Sequence, residues 1–368
     1  MTDVAQVETF NPGSSRNLDI LRAIAVSLVV LDHLFGFFGN KRYYQILKPT
    51  LLGRFGVVLF FVHTALVLMA SMDRQWHRSG RHRFLEIFFV RRGFRIFPLA
   101  VFVLLIYVVF DLPGNVGTSI VTKRAVTMPR FVANLFLAQN IGSGVSLLAT
   151  MWSLSYEWQM YLILPLFYFL YRRSKSAIGV LAIWGTLLLI AASYYDRIGQ
   201  INNANPFWKI PDWELWGPCF IVGIWGFFHA KQTKPTTILP WIALPVGIAA
   251  ICVPMMQSHD PREYIPAAFL VGLLISYCRE IKHGWFSETA RIVVRYSYGI
   301  YLFHLFALWV AFVKFKGQSR SVEWIVFVAV LAGASVAGYH LLEQPMIRTG
   351  NRIAAWLEEG SRAIERRR

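Results

Sequence analysis

The sequence predicts an all-helical, polytopic integral membrane protein of about ten transmembrane helices around a central cavity. Two observations carry that class. Hydrophobic residues make up 56% of the 368-residue chain and charged residues 15%, with a mean hydropathy of +0.47, whereas a soluble domain has roughly 25% charged residues. The apolar residues also fall into runs long enough to cross a bilayer, for which about 20 residues suffice. A net charge of +17 would suggest nucleic acid in a soluble protein. Here the arginines sit in short connections between apolar runs, so the expected partner is the lipid bilayer and no nucleic acid.

Taken in order, the runs lie near 20–38, 51–72, 94–111, 153–171, 177–195, 214–230, 237–256, 264–279, 292–312 and 322–342. Lys and Arg in short loops set orientation. The loop after the second run holds Arg74, Arg78, Arg81 and Arg83, then Arg91, Arg92 and Arg95. Alternate later loops hold Arg172, Arg173 and Lys175, then Lys231 and Lys234, then Arg279 and Lys282, and Arg366, Arg367 and Arg368 end the chain. With an even number of spans these share one side, expected to be cytoplasmic with both termini. On the opposite side the longest connection, about 112–151, contains PRFVANLFLAQNI, read as a re-entrant or interfacial helix and not a full span. The division expected is a cytoplasmic tail at 1–15, a transmembrane body at 16–345 and a basic cytoplasmic tail at 346–368, with no appended soluble domain. The first run lacks the basic leader of a cleaved signal peptide. Cys219, Cys252 and Cys278 are too widely spaced for a zinc site or a disulfide framework, so no metal is expected.

The first run, RNLDILRAIAVSLVVLDHLFGFF, carries Arg22 and His33. Eleven residues at about 100° each return to within about 20° of the starting direction and rise roughly 16 Å, so both side chains project from one stripe. An ionisable group inside a membrane helix usually faces a bundle interior or a water-filled cavity. For Arg22 the plain alternative is an anchor that snorkels to the interface, and for His33 a buried neutral imidazole paired with Asp32 or a carbonyl.

Five motifs in order, LDILRAIAVSLVVLDH, VRRGFRIFP, WSLSYEWQMYLILP, SYGIYLFH and LLEQP, resemble the membrane acyltransferase-3 family over nearly the whole chain. The resemblance implies a bacterial inner-membrane O-acyltransferase that moves an acyl group, usually acetyl, from acetyl-coenzyme A to a hydroxyl of a glycan or lipid-linked sugar. It has no permanently bound cofactor, and acetyl-coenzyme A is the donor substrate. By motif position Arg22 and His33 take the family's intramembrane pair, Arg91, Arg92 and Arg95 its cytoplasmic arginine cluster, and Glu157 its acidic residue. One departure stands out: FFVHTALVL replaces the usual FFVLSGFLI, so Thr64 and Ala65 stand for Ser-Gly and His63 for an apolar residue.

The residues bear on that chemistry directly. An imidazole titrating near neutrality suits a general base acting on a sugar hydroxyl, and His33 is the first choice. Arg91 and Arg95, four apart, share a helix face beside Arg92 and suit the phosphates of the donor, whereas Arg74 to Arg83 read as topology signals. Pro98 is expected to break the helix after Arg95. Glu157 reads either as the acid of a helix start capped by Ser153 or as a group lining the acceptor side near His33. Trp152 and Trp158 suit an interfacial belt or a sugar-stacking surface. Tyr301 and His304, three apart, meet on one face and either line the same cavity or form a satisfied core pair. Glu343 is expected to pair with a basic loop. The competing reading is a transporter or flippase for a lipid-linked or acidic solute, using the same buried Arg and His as its path.

Overall fold

The computed structural model describes residues 10–12, 14–39, 50–79, 83–116, 121–141, 145–173, 177–204, 212–232, 236–257 and 260–365. Arg81, Lys175, Lys234 and Arg366 to Arg368 lie outside them, as does most of the expected N-terminal tail. Thirteen α-helices are formed among the described residues: α1 Arg16–Phe38, α2 Thr50–Ser79, α3 Phe84–Val109, α4 Met128–Leu135, α5 Trp152–Arg173, α6 Ala177–Ser193, α7 Tyr195–Ala204, α8 Trp213–Gln232, α9 Ala243–Gln257, α10 Tyr264–Tyr277, α11 Trp285–Trp309, α12 Arg320–Ala337 and α13 Gln344–Glu365. Each of the ten apolar runs is a helix. Five stretches are long and apolar enough to cross a membrane, namely Arg16–Phe38, Leu51–Arg78, Phe84–Val109, Trp285–Lys314 and Arg320–Glu359, and Ile178–Ser193, Ala243–Pro254 and Tyr264–Tyr277 are shorter apolar helices. Leu162, Leu166, Ile183, Leu187, Ile325 and Val328 are exposed on the outside of the bundle. This is the surface of a multi-pass membrane protein, whose apolar side chains face lipid.

The bundle is built around α2. Phe55, Val58, Leu59, Ala65, Met69 and Met72 on this helix are fully buried, and α1 and α8 pack on it most closely. Small residues make those approaches possible. A Cβ at Gly56 would sit 2.6 Å from the carbonyl oxygen of Ala25, and one at Gly223 would sit 2.4 Å from that of Val62 and 2.7 Å from Cβ of Ala65. The glycine that FFVHTALVL lacks is thus supplied from the facing helix. Small residues do this wherever membrane helices cross closely.

The first helix is pinned at its start. Asn17 donates to the carbonyl of Arg279 at 2.9 Å and accepts from the N–H of Ile281 at 3.2 Å, which joins α1 to the connection between α10 and α11. At the opposite end Phe38, Phe312 and Trp324 cluster. The long connection there forms a two-stranded hairpin, Asn115–Val116 with Val121–Thr122, followed by α4, an eight-residue helix with Met128 and Val132 exposed. Asn134 ties the chain beyond α4 back to this helix. Its amide donates to the carbonyls of Arg130 and Val145, and its oxygen accepts from the N–H of Leu147. The N–H of Ala149 then bonds the carbonyl of Gly114 at 2.8 Å, fixing the 3-10 turn Ala149–Met151 over the mouth of the bundle.

Two expectations are corrected. α3 begins at Phe84, ten residues before the apolar run, and continues through Pro98 without ending. Placing Pro98 in mid-helix does not stop it, because neighbouring helices hold the bundle in register. Ser153 does not cap α5, since its Oγ is hydrogen-bonded to the hydroxyl of Tyr301 at 2.7 Å. Within the segment expected as a basic tail, α13 is an amphipathic helix whose Ala354 and Leu357 bury against Ile87 of α3.

Candidate functional site

Two chambers lie inside the bundle, one behind the other. The first, about 110 Å³, is lined by Arg22 from α1, His63 and Thr64 from α2, Arg92 and Arg95 from α3, Glu157 and Tyr161 from α5, and Ser297 and Tyr298 from α11. It lies toward the end that carries the arginine-rich connections. Three guanidinium groups therefore converge on one small space, and the protein holds them with neutral or acidic neighbours. Arg22 Nε donates to Ser297 Oγ at 2.9 Å, with its guanidinium 5.8 Å from the centre of the Phe60 ring. Arg92 donates to Ser71 Oγ at 3.2 Å. The hydroxyl of Tyr161 donates to Glu157 Oε1 at 2.5 Å. Glu343, buried at the end of the π-helical turn Gly338–Glu343, lies within electrostatic range of Arg95 and Arg22. Its charged neighbours are thus on α3 and α1 instead of in a basic loop, and its Oε2 has no hydrogen-bond partner among the described residues.

The second chamber, about 380 Å³, lies toward the opposite end. Asp32 and His33 of α1, Arg54 of α2, Thr150, Trp152, Tyr195, Asp212, Trp216 and His304 line it. The centres of the His33 and His304 rings are 4.9 Å apart. His304 Nδ1 lies 2.8 Å from the carbonyl oxygen of Tyr301. A carbonyl can only accept, so Nδ1 carries the proton and Nε2 is left with a lone pair. That Nε2 has no hydrogen-bond partner among the described residues. Tyr156 and Gln159 of α5 hold the start of α8 in place, through bonds from the N–H of Asp212 at 3.0 Å and from the indole of Trp213 at 2.9 Å.

Val57 and Tyr301 line both chambers and stand between them. The stripe of α1 thus serves two rooms, with Arg22 in one and His33 in the other. Glu157 shares the room of Arg22, not that of His33, because its position in α5 turns it toward Arg92. Arg91 departs from the expected cluster. It donates to Glu358 Oε1 of α13 at 2.8 Å, outside the chamber wall, so the shared face is that of Arg92 and Arg95, three apart. Trp152 lines the second chamber beside Trp216, with ring centres 5.0 Å apart. Arg54 is missed by the sequence reading, although an arginine in LLGRFGVV carries the same signal as Arg22. Thr150 and Trp216 carry no such signal, since only the connection 112–151 and the packing of α8 bring them to the chamber.

Residues 15–342 match the profile of the family described as Acyltransferase domain. The chain belongs to this acyltransferase family. Among curated proteins similar to it, a peptidoglycan O-acetyltransferase OatA of Listeria monocytogenes is 26% identical over 321 residues, covering 78% of this chain and 48% of the relative. An O-acetyltransferase OatA of Staphylococcus aureus is 24% identical over 95% of this chain and 60% of the relative. Nodulation protein 10 of Rhizobium leguminosarum is 21% identical over 93% and 96%. The chain spans about half to three-fifths of the length of the two OatA proteins. No solved structure matches it. Both chambers of this acyltransferase-family chain fall inside the matched residues, while α13 lies after them.

Proposed function

We propose that the chain is a membrane O-acyltransferase that moves an acyl group, acetyl in the first instance, from acyl-coenzyme A to a hydroxyl of a carbohydrate. The observation that carries this reading is the meeting of an arginine-lined chamber and an imidazole-lined chamber at Tyr301 and Val57. Residues 16–345 form the transferase body. The arginine-rich end is cytoplasmic by the positive-inside rule, and the membrane is the bacterial inner membrane, with both termini in the cytoplasm. The donor enters from that end, where Arg22, Arg92 and Arg95 meet its phosphate and carbonyl oxygens. The acceptor enters from the opposite end. Names of relatives as peptidoglycan O-acetyltransferase and O-acetyltransferase support a glycan acceptor.

In the proposed step His33, with His304 behind it, takes the proton of the acceptor hydroxyl as that oxygen bonds to the thioester carbon. The hydroxyl of Tyr301, at the junction, donates to the oxyanion that forms. Collapse breaks the carbon–sulfur bond, and the departing thiolate takes the proton from the imidazole. Arg91, occupied by Glu358, plays no part in holding the donor.

The test is release of coenzyme A thiol from acetyl-coenzyme A by the full chain in nanodiscs, with envelope glycans as acceptor. Wild-type turnover that His33→Ala and Arg22→Ala both abolish, in protein that still folds, is the expected result. No turnover with any acyl donor, alongside solute movement into vesicles, overturns the proposal in favour of transport.

A further inference from the structure

The imidazole pair of the second chamber is surrounded by hydrogen-bonding groups that acyl transfer itself does not use. Asp32, Thr150 and Trp216 line that chamber and are only 8%, 3% and 4% exposed. Asp32 Oδ1, Thr150 Oγ1, Trp216 Nε1 and His304 Nε2 all have no hydrogen-bond partner among the described residues. Buried polar atoms in native proteins are nearly always paired. Four unpaired atoms around one cavity therefore outline the complement of a ligand. They comprise two acceptors, one indole N–H donor and one hydroxyl that does either.

A ligand whose groups both donate and accept meets all four. A sugar ring presents several such hydroxyls on a rigid frame, and Trp152 at the chamber wall offers an aromatic surface for its C–H groups. The volume, about 380 Å³, is at the low end of small-molecule pockets, roughly 300–1,000 Å³. That is room enough for a sugar ring. Charge narrows the class further, because Asp32 and Asp212 oppose one arginine, Arg54, at the wall, so a carboxylated ring would meet two carboxylates.

Asp32 is also placed with precision. The N–H of Gly53, in the first turn of α2, bonds its carboxylate, which occupies one of the donors a helix start leaves free. Oδ1 stays unpaired, and a Cβ at Gly53 would sit 2.6 Å from Oδ2. We infer that Asp32, Thr150 and Trp216 form a subsite for an uncharged, polyhydroxylated ring, and that Asp32 selects which hydroxyl faces His33 and His304. Calling this ring the acceptor rests on the acyl-transfer proposal; its binding does not.

The test measures carbethoxylation of His33 by diethyl pyrocarbonate in the nanodisc-embedded full chain, read by peptide mass spectrometry. The probes are the neutral and the acidic oligosaccharide fractions of the source cell's envelope. The neutral fraction is expected to protect His33. Asp32→Asn, Thr150→Val and Trp216→Phe are each expected to need about tenfold more of it for equal protection, as the loss of one good hydrogen bond implies. Gly53→Ala, which displaces the carboxylate without changing its chemistry, is expected to act like Asp32→Asn. Absence of protection in the wild type, or undiminished protection in the variants that fold, overturns the inference. Stronger protection by the acidic fraction overturns the assignment of an uncharged ring. Protection without any acyl transfer would sink the acyl-transfer proposal and leave the subsite standing.

Discussion

The two chambers on either side of Tyr301 solve the same problem, polarity inside a membrane protein, in opposite ways. In the arginine chamber most charged side chains have a partner, Arg22 with Ser297, Arg92 with Ser71 and Glu157 with Tyr161, and His63 Nδ1 and Arg92 Nε are left unpaired among the described residues. In the imidazole chamber more is left over, and Asp32, Thr150, Trp216 and His304 each keep an unpaired atom. The first is organised around fixed charge and keeps its shape with a modest volume. The second keeps hydrogen-bonding capacity in reserve for something that enters. Under the proposed transfer, a donor common to many reactions and an acceptor particular to one would call for this division.

Variants on each side sharpen the comparison. The largest expected effect comes from the imidazoles. His33→Ala is expected to lower the rate of transfer by about 10²- to 10⁴-fold, the range for losing a general base, without raising the donor's KM. His304→Ala should follow it closely, and a variant of either that retains wild-type kcat would remove that residue from the proposed step. Next comes the junction. Tyr301→Phe keeps the ring against Phe60 and loses only the hydroxyl, so kcat is expected to fall about 10²-fold if that group stabilises an oxyanion. A fall in apparent affinity alone would make Tyr301 part of the wall. Arg95→Ala is expected to act in the opposite sense to His33→Ala, raising the donor's KM by about tenfold or more and leaving the acceptor's unchanged. An equal change in both would mean that the two chambers do not divide the substrates.

The α1 stripe shows how far the sequence can be read. Its spacing places Arg22 and His33 on one face, and they do lie on one face, but the wall between them comes from Val57 of α2 and Tyr301 of α11. No pattern within one helix contains that wall. Glu157 is legible as an unusual carboxylate and illegible in direction, because its side depends on where α5 begins, and that start is set by Asn134 and the turn at Ala149. The apolar runs are legible throughout, since burial in lipid acts on each helix separately. The third helix reads short because Arg91, Arg92 and Arg95 interrupt its apolar sequence after the first two turns, FLEIFFV. Ala65 stands where a glycine is expected only because the glycine, Gly223, belongs to another helix.

Arg91 is the smallest and most discriminating case. It lies next to Arg92 in the sequence and four residues from Arg95, so a reading based on spacing makes the three equivalent. Helix geometry separates them: Arg92 and Arg95 turn into the chamber, and Arg91 turns to Glu358. The ion pair is partly buried, and removing one partner leaves the other charge in a poorer solvent than water. Arg91→Ala is therefore expected to loosen α13, seen as earlier cleavage near Trp356 in limited proteolysis and a melting temperature lower by a few degrees. Transfer below that temperature should change by less than about threefold, as for a residue that touches neither substrate. A loss as large as that of Arg95→Ala, rescued by Arg91→Lys, would return Arg91 to the donor site. It would also mean that Glu358 releases it during turnover.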